Sequence, residues 1–180
     1  MSLKSRLSKA VIALVIAGSG TFSITYQFLL EKEGFRLNAY QDGRGIWTIC
    51  LGHTAGVKKG DVATVEQCLK YAEEDIGPAI QRVNELTPVP LSPAATAGIA
   101  SFCFYNLGES KCHWTYDSKT HQRRPTRFWS AWMAGDMPAA CDRITDWIYD
   151  GGRDCRIRSN NCYGQVERRA QERELCLIGR

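Results

Sequence analysis

No cysteine occurs in the first 49 of the 180 residues, and no CxxC pair occurs anywhere. The second absence excludes the common zinc-ribbon spacing and leaves no redox dithiol motif. Internal repeats and low-complexity tracts are also missing, so a repeat array is excluded. Excess charge is missing from most of the chain. The 23 Lys and Arg against 19 Asp and Glu give +4, but Lys4, Arg6 and Lys9 stand in the first nine residues without an acid. Residues 10–180 then hold 20 basic and 19 acidic side chains. That balance leaves no domain-wide basic field and argues against a nucleic-acid partner. Hydrophobic residues at 44% and charged residues at 23% allow a core of one ordinary domain, or of one domain with a short appendage.

Charge is absent altogether from residues 10–30, AVIALVIAGSGTFSITYQFLL. These 21 residues match the length of about 20 that spans a bilayer as a helix. Only 14 of them are apolar, the others being Gly18, Ser19, Gly20, Thr21, Ser23, Thr25 and Gln27. The basic head predicts an N-terminus held in the cytoplasm with the rest of the chain outside. Four readings fit in different degrees. Ala17-Gly18-Ser19-Gly20 offers a small-residue cleavage site for a signal peptide. A permanent anchor fits the length but not the polar content. A segment that inserts and later leaves fits both. A buried core helix explains neither the basic head nor the cysteines beyond it.

Those cysteines number eight: Cys50, Cys68, Cys103, Cys112, Cys141, Cys155, Cys162 and Cys176. An even number after an export-like segment points to disulfides in an oxidising compartment, with metal binding the lesser reading. The two short spacings, Cys103–Cys112 and Cys155–Cys162, are expected to close loops; the remaining pairing stays open.

Local signals divide the rest into three expected segments: 1–30 for insertion, 31–92 as a first lobe and 93–180 as a helical second lobe. The runs Leu37–Tyr40 and Ile46–Leu51 flank Asp42-Gly43-Arg44-Gly45 and predict a hairpin or small sheet. Thr64 and Gln67 predict a capping box, followed by Val65, Cys68, Leu69, Ala72 and Ile76 at helical spacing, with Pro78 disturbing that helix rather than ending it. Residues 86–93, LTPVPLSP, hold three of the six prolines and mark the boundary between the lobes. Helices are expected over Ala94–Tyr105, near Phe128–Met133, from Asp136 to Tyr149 and over Gln165–Leu177. Residues 107–127 read as a long polar loop, either functional or stapled down.

Among residues with chemistry, Glu33, Asp42 and Thr48 stand at a helix end, a glycine-rich turn and a strand. Such a set can place two carboxylates across a cleft for glycosidic hydrolysis. By themselves these residue types are weak witnesses, because acids at turns are usually solvated. The wider string EGFRLNAYQDGRGIWTICLGHT, residues 33–54, closely resembles the signature of the phage-type lysozymes, glycoside hydrolase family twenty-four. A second match, GQVERRAQERELC at 164–176, resembles the family's ending, and SFCFYNLG at 101–108 is a weaker third.

The resemblance implies an α+β lysozyme-like fold, a small β-sheet lobe and a mainly helical lobe behind an N-terminal signal-anchor helix. It implies Glu33 as general acid, which must hold its proton at working pH, and Asp42 and Thr48 as the holders of an attacking water. Net inversion is expected, with carboxylates about 6.5–9.5 Å apart. The substrate would be peptidoglycan, cut between N-acetylmuramic acid and N-acetylglucosamine, with no metal and no cofactor. His53 would pair with Asp75 in a structural role. One of Arg168 and Arg169 would approach Glu33, unless these two and Glu172 form a solvated helix face. Asn106 would contact a sugar amide. Cys50 replaces the family's glycine, two residues after Thr48, where a free or paired thiol bears on activity.

Glu33 lies three residues beyond Leu30, only about 4.5 Å along a helix. Anchor and leading helix are then largely the same residues and cannot occupy both places. This resembles the signal-arrest-release endolysins: inner membrane first through residues 10–30, silent, then periplasm. Some membrane-held relatives block the site with a cysteine in the anchor; residues 10–30 have none. A monomer is expected. A lytic transglycosylase and a non-catalytic peptidoglycan-binding relative remain the alternatives.

Overall fold

The chain reverses direction inside its uncharged segment. In the computed structural model, which describes residues 5–43, 45–117 and 119–179, α1 (Lys9–Ile16) and α2 (Thr21–Glu33) are separate helices. Lys4 of the basic head and Arg44 of the glycine-rich turn lie outside the described residues. Ser8 caps α1 by accepting from Val11 N, and the chain turns at Ala17–Gly20, with Gly20 as the N-cap of α2. In the folded chain residues 10–30 thus form parts of two helices and not one continuous helix. Among the described residues no helix is long and apolar enough to cross a membrane.

Burial is the physical reason the segment folds inward. Val11, Ile24, Phe28 and Leu29 are buried against Ala72, Ile76, Ala94, Ala97 and Leu175. Each large apolar side chain so covered contributes about 1.5–3 kcal/mol. Thr25, also buried, satisfies its hydroxyl by donating to Thr21 O at 2.8 Å. Leu7 joins this cluster, while its neighbours Ser5 and Arg6 are held at the surface of α8. Arg6 N donates to Glu174 Oε2 at 2.8 Å, Ser5 Oγ bonds Glu174 Oε1, and Gln171 Nε2 donates to Arg6 O at 2.7 Å.

Gly34 follows α2 with φ +76°, a region that an L side chain enters only with strain, and turns the chain into β1 (Arg36–Gln41). β1 pairs antiparallel with β2 (Trp47–Cys50), with Tyr40 opposite Thr48 and a bulge between Arg36 and Tyr40. Thr64 and Gln67 form the expected capping box of α3 (Val65–Leu86), which continues through Pro78. The proline-rich stretch then leads to Ser92, whose side chain caps α4 (Pro93–Ile99).

Three expectations are revised beyond this point. The helix expected over 94–105 is α-helical only to Ile99 and becomes π-helical over Ala100–Leu107. The polar stretch 107–127 is not a loop but α5 (Glu109–His113) followed by the antiparallel pair β3 (Trp114–Asp117) and β4 (Gln122–Pro125). Thr126 caps α6 (Arg127–Met133); Asp136 caps α7 (Met137–Arg143), which ends before Tyr149 in a 3₁₀ turn over Ile144–Asp146. A short pair, β5 (Tyr149–Asp150) and β6 (Arg153–Asp154), precedes α8 (Tyr163–Leu177). The second core gathers Ile99, Phe102, Phe128, Trp132 and Ile144.

All eight cysteines pair. The two short loops close as expected, and the remaining bonds are Cys50–Cys68 and Cys141–Cys176.

Gly98 sets how closely α4 and α8 approach. A Cβ there would stand 2.7 Å from Glu172 O, 2.9 Å from Cys176 N and 2.9 Å from Leu175 Cβ. None of these atoms is the end of a flexible chain. Gly98→Ala gains about 1 kcal/mol of helix propensity, while overpacking costs about 1–3 kcal/mol. Net destabilisation is expected in urea unfolding; a stabilised variant would show that the two helices can separate without cost.

Candidate active site

Glu33 closes α2, and its position follows from local chemistry: the helix stops at Gly34, so the carboxylate is delivered at the helix end rather than along a face. Its Oε1 accepts from Arg168 Nη1 at 2.7 Å. Glu33 lines a cleft of about 420 Å³ with Gly52, Thr54, Asp75, Phe104, Tyr105 and Asn106. The carboxylate is thus bound by a guanidinium and not enclosed by apolar neighbours.

Behind Glu33 lies a buried ionic network on α8. Glu172 is fully buried, Arg169 nearly so, and the Arg168 side chain is only 11% exposed. Glu172 Oε1 accepts from Ser101 Oγ at 2.7 Å and from Arg168 Nε at 3.1 Å. Arg169 Nε stands 2.9 Å from Glu172 Oε2, a close ion contact without hydrogen-bond alignment. Arg169 Nη2 donates to Asn106 Oδ1 at 2.7 Å. The solvated-face reading of Arg168, Arg169 and Glu172 is therefore overturned. The two arginines divide the work: Arg168 holds Glu33, and Arg169 holds Asn106. Burial works against the Arg168 charge, but the Glu172 and Glu33 carboxylates outweigh it, and its pKa stands above the ordinary value. Burial lowers that of Arg169.

Asp42 and Thr48 stand on the hairpin and clasp one residue between them. Asp42 Oδ1 accepts from Ile46 N at 2.9 Å, and Thr48 Oγ1 donates to Ile46 O at 3.0 Å. Thr48 is buried, and neither residue lines the Glu33 cleft. The hairpin is tied to that cleft through Leu51, whose carbonyl accepts from Tyr105 OH at 2.9 Å. Burial, and next to it the Glu33 charge, raise the pKa of Tyr105.

His53 Nδ1 lies 2.9 Å from Asp75 Oδ2, and its ring stacks on Tyr71 at 4.1 Å. With Nε2 at 3.1 Å from Ala55 O, both ring nitrogens are occupied. Cys50 has φ +57°, which accounts for a glycine where the resembling family has one. Its sulfur is bonded to Cys68, so no free thiol stands beside Thr48.

Phe104, Tyr105, Thr54 and Ser101 carried no role in the sequence reading. Only their inclusion in the SFCFYNLG and LGHT strings marked them. The π-helical turn that brings Phe104, Tyr105 and Asn106 to one cleft has no local sequence signal.

The phage lysozyme family model matches residues 30–172. The chain is 46% identical over 185 residues to a SAR-endolysin of Escherichia phage 933W, covering 99% of this chain and 98% of the relative. It is 48% identical over 181 residues to a probable prophage lysozyme of Escherichia coli (strain K12), covering 96% and 94%. Its fold resembles the active form of the phage P1 endolysin Lyz with a TM-score of 0.75 at 23% identity, covering 98% of this chain and 87% of that one.

Proposed function

The chain belongs to the phage lysozyme family, a muramidase of the endolysin kind, and from that premise we propose which bond it cuts, how, and when. The bond is the β-1,4 link from N-acetylmuramic acid to N-acetylglucosamine. Glu33 is the general acid on the leaving oxygen. Oε1 stays on Arg168 while Oε2 carries the proton, so the guanidinium positions the acid throughout the step. Asp42 orients the attacking water, and Thr48, whose hydroxyl proton goes to Ile46 O, holds it as an acceptor through Oγ1, giving inversion. Asn106, steered by Arg169, receives a sugar amide. His53 and Asp75 are structural. The observation that carries this reading is Glu33 at the end of α2, held by Arg168 in a cleft with Asn106.

The test uses purified sacculi and wild-type protein. New reducing ends of muramic acid, with α configuration in the first NMR spectra, are expected. An anhydro-muramic product in mass spectra would make the chain a lytic transglycosylase instead.

Residues 10–30 are proposed to insert in the host inner membrane, N-terminus inside, and hold the enzyme silent until they leave for the periplasm. The burial of Val11, Ile24, Phe28 and Leu29 in the folded core supports this, since the same side chains cannot face lipid and core together. The small and polar residues lower the cost of leaving. Replacing Gly18, Ser19 and Gly20 by leucine is expected to keep the protein in the membrane fraction and to delay lysis. A soluble triple variant lysing on the normal schedule would remove the release step from the account.

A further inference from the structure

The β3–β4 ribbon and its flanks carry a local excess of positive charge. Residues 111–127 hold five basic side chains, Lys111, Lys119, Arg123, Arg124 and Arg127, against Asp117 as the one acid. The other residues of 10–180 hold 15 basic and 18 acidic side chains and are net negative. Arg124 and Arg127 are engaged by Asp117 and Asp146. Among the described residues, Lys111, Lys119 and Arg123 make no ion pair.

The pairing register sorts the side chains. Trp114 faces Pro125 and Tyr116 faces Arg123 across the ribbon, and residues two apart on a strand share a face. One face therefore presents Trp114, Tyr116, Arg123 and Pro125. Trp114 is 42% and Tyr116 60% exposed. The Arg123 guanidinium lies 5.6 Å from the Trp114 ring, and Tyr116 OH lies 3.0 Å from His121 Nδ1. Aromatic faces about 6.8 Å apart, edged by cations, suit a chain of sugar rings bearing carboxylates.

The ribbon is rooted in the wall of the cleft. His113 immediately precedes β3; its ring lies 5.9 Å from that of Phe104, which lines the Glu33 cleft. The Cys103–Cys112 bond and the 2.9 Å hydrogen bond from Thr126 N to His113 O close the root. A polymeric substrate longer than the cleft continues past it.

We propose that the Trp114–Tyr116–Arg123 face is a second wall-binding surface, taking up the anionic, peptide-bearing glycan strand outside the catalytic cleft. The inference rests on the muramidase reading above. Binding by stacking and charge here adds affinity for the insoluble wall without touching the reacting bond.

The test measures co-sedimentation of full-length Glu33→Gln protein with purified Gram-negative sacculi, since this background leaves the wall undigested. Adding Tyr116→Ser and Arg123→Glu is expected to weaken binding about tenfold, equivalent to about 1.4 kcal/mol. Amidating the wall carboxylates should weaken the parent by a similar factor and the added variant much less. Melting temperature and intact mass check that the variants fold with four disulfides. Should that pair unfold, Arg123→Gln alone is compared across a salt series, where a shallower salt dependence than the parent's is expected. Equal binding by folded parent and variant overturns the proposal. So does a loss seen only with phosphatidylglycerol vesicles, or only with single-stranded DNA. Wild-type protein is assayed in parallel for reducing ends: release with unchanged sedimentation rejects the ribbon surface alone, and no release rejects the muramidase reading with it.

Discussion

Glu33→Gln is expected to lower wall hydrolysis by about 10²–10⁴-fold, the range a positioned general acid supplies. Each tenfold corresponds to about 1.36 kcal/mol of barrier. Glutamine keeps the length of the side chain and a carbonyl oxygen for Arg168 Nη1, now 2.7 Å from Glu33 Oε1. What it cannot do is deliver a proton to the leaving oxygen. The loss should therefore fall on kcat with little change in melting temperature. Glu33 is not part of the packed core, its side chain is 30% exposed, and Glu172 still faces the Arg168 guanidinium when the Glu33 charge is removed. Reducing-end release at saturating soluble wall fragments measures kcat, and scanning calorimetry measures the fold. A variant within twofold of wild type would remove Glu33 from the acid role and direct the search to Asp75 in the same cleft.

The second large effect belongs to Glu172, which touches no substrate. Its carboxylate is fully buried between Arg168, Arg169 and Ser101. Glu172→Gln keeps the shape and removes the charge, so two guanidiniums remain in the interior without the anion that faces both. Breaking a buried pair from one side costs about 3–5 kcal/mol, a large share of the 5–15 kcal/mol typical of a folded domain. Urea unfolding should show that loss. Activity should fall as well, since the same network holds Arg168 on Glu33 and Arg169 on Asn106. The control is Arg6→Ala. Its ion pair with Glu167 is 55% and 41% exposed at the two side chains, and such a surface pair contributes at most about 1 kcal/mol. A Glu172→Gln protein as stable as the Arg6 variant would mean that water or a rearranged Ser101 replaces the lost charge.

The two effects separate chemistry from support. Glu33 reacts and is exposed; Glu172 positions and is enclosed. Both act through Arg168, whose Nη1 holds one carboxylate while its Nε holds the other. A charge-conserving Arg168→Lys cannot make both contacts, because a single ammonium lacks the guanidinium fork.

Features that depend on near neighbours can be read directly along the chain. The Thr64–Gln67 box, the Asp136 cap, the hairpin around Asp42 and the two short disulfide loops each close over three to about nine residues. The string from Glu33 to Thr54 marked the candidate acid, and the His53–Asp75 contact was legible from family resemblance. The rest follows from contacts between segments far apart in the chain. Whether residues 10–30 form one span or two helices packed on the fold depends on the apolar surface offered by α3, α4 and α8. Whether 107–127 is loop or ribbon depends on strand pairing, to which its polar sequence gives no period. Arg168 and Glu172 looked like an ordinary solvated pair four residues apart on a helix. Their burial is set by Ser101, 71 residues from Glu172, and by Glu33, 135 residues from Arg168. Local hydrogen bonding is written in spacing, whereas the environment of a charge is fixed by whichever distant segment packs against it.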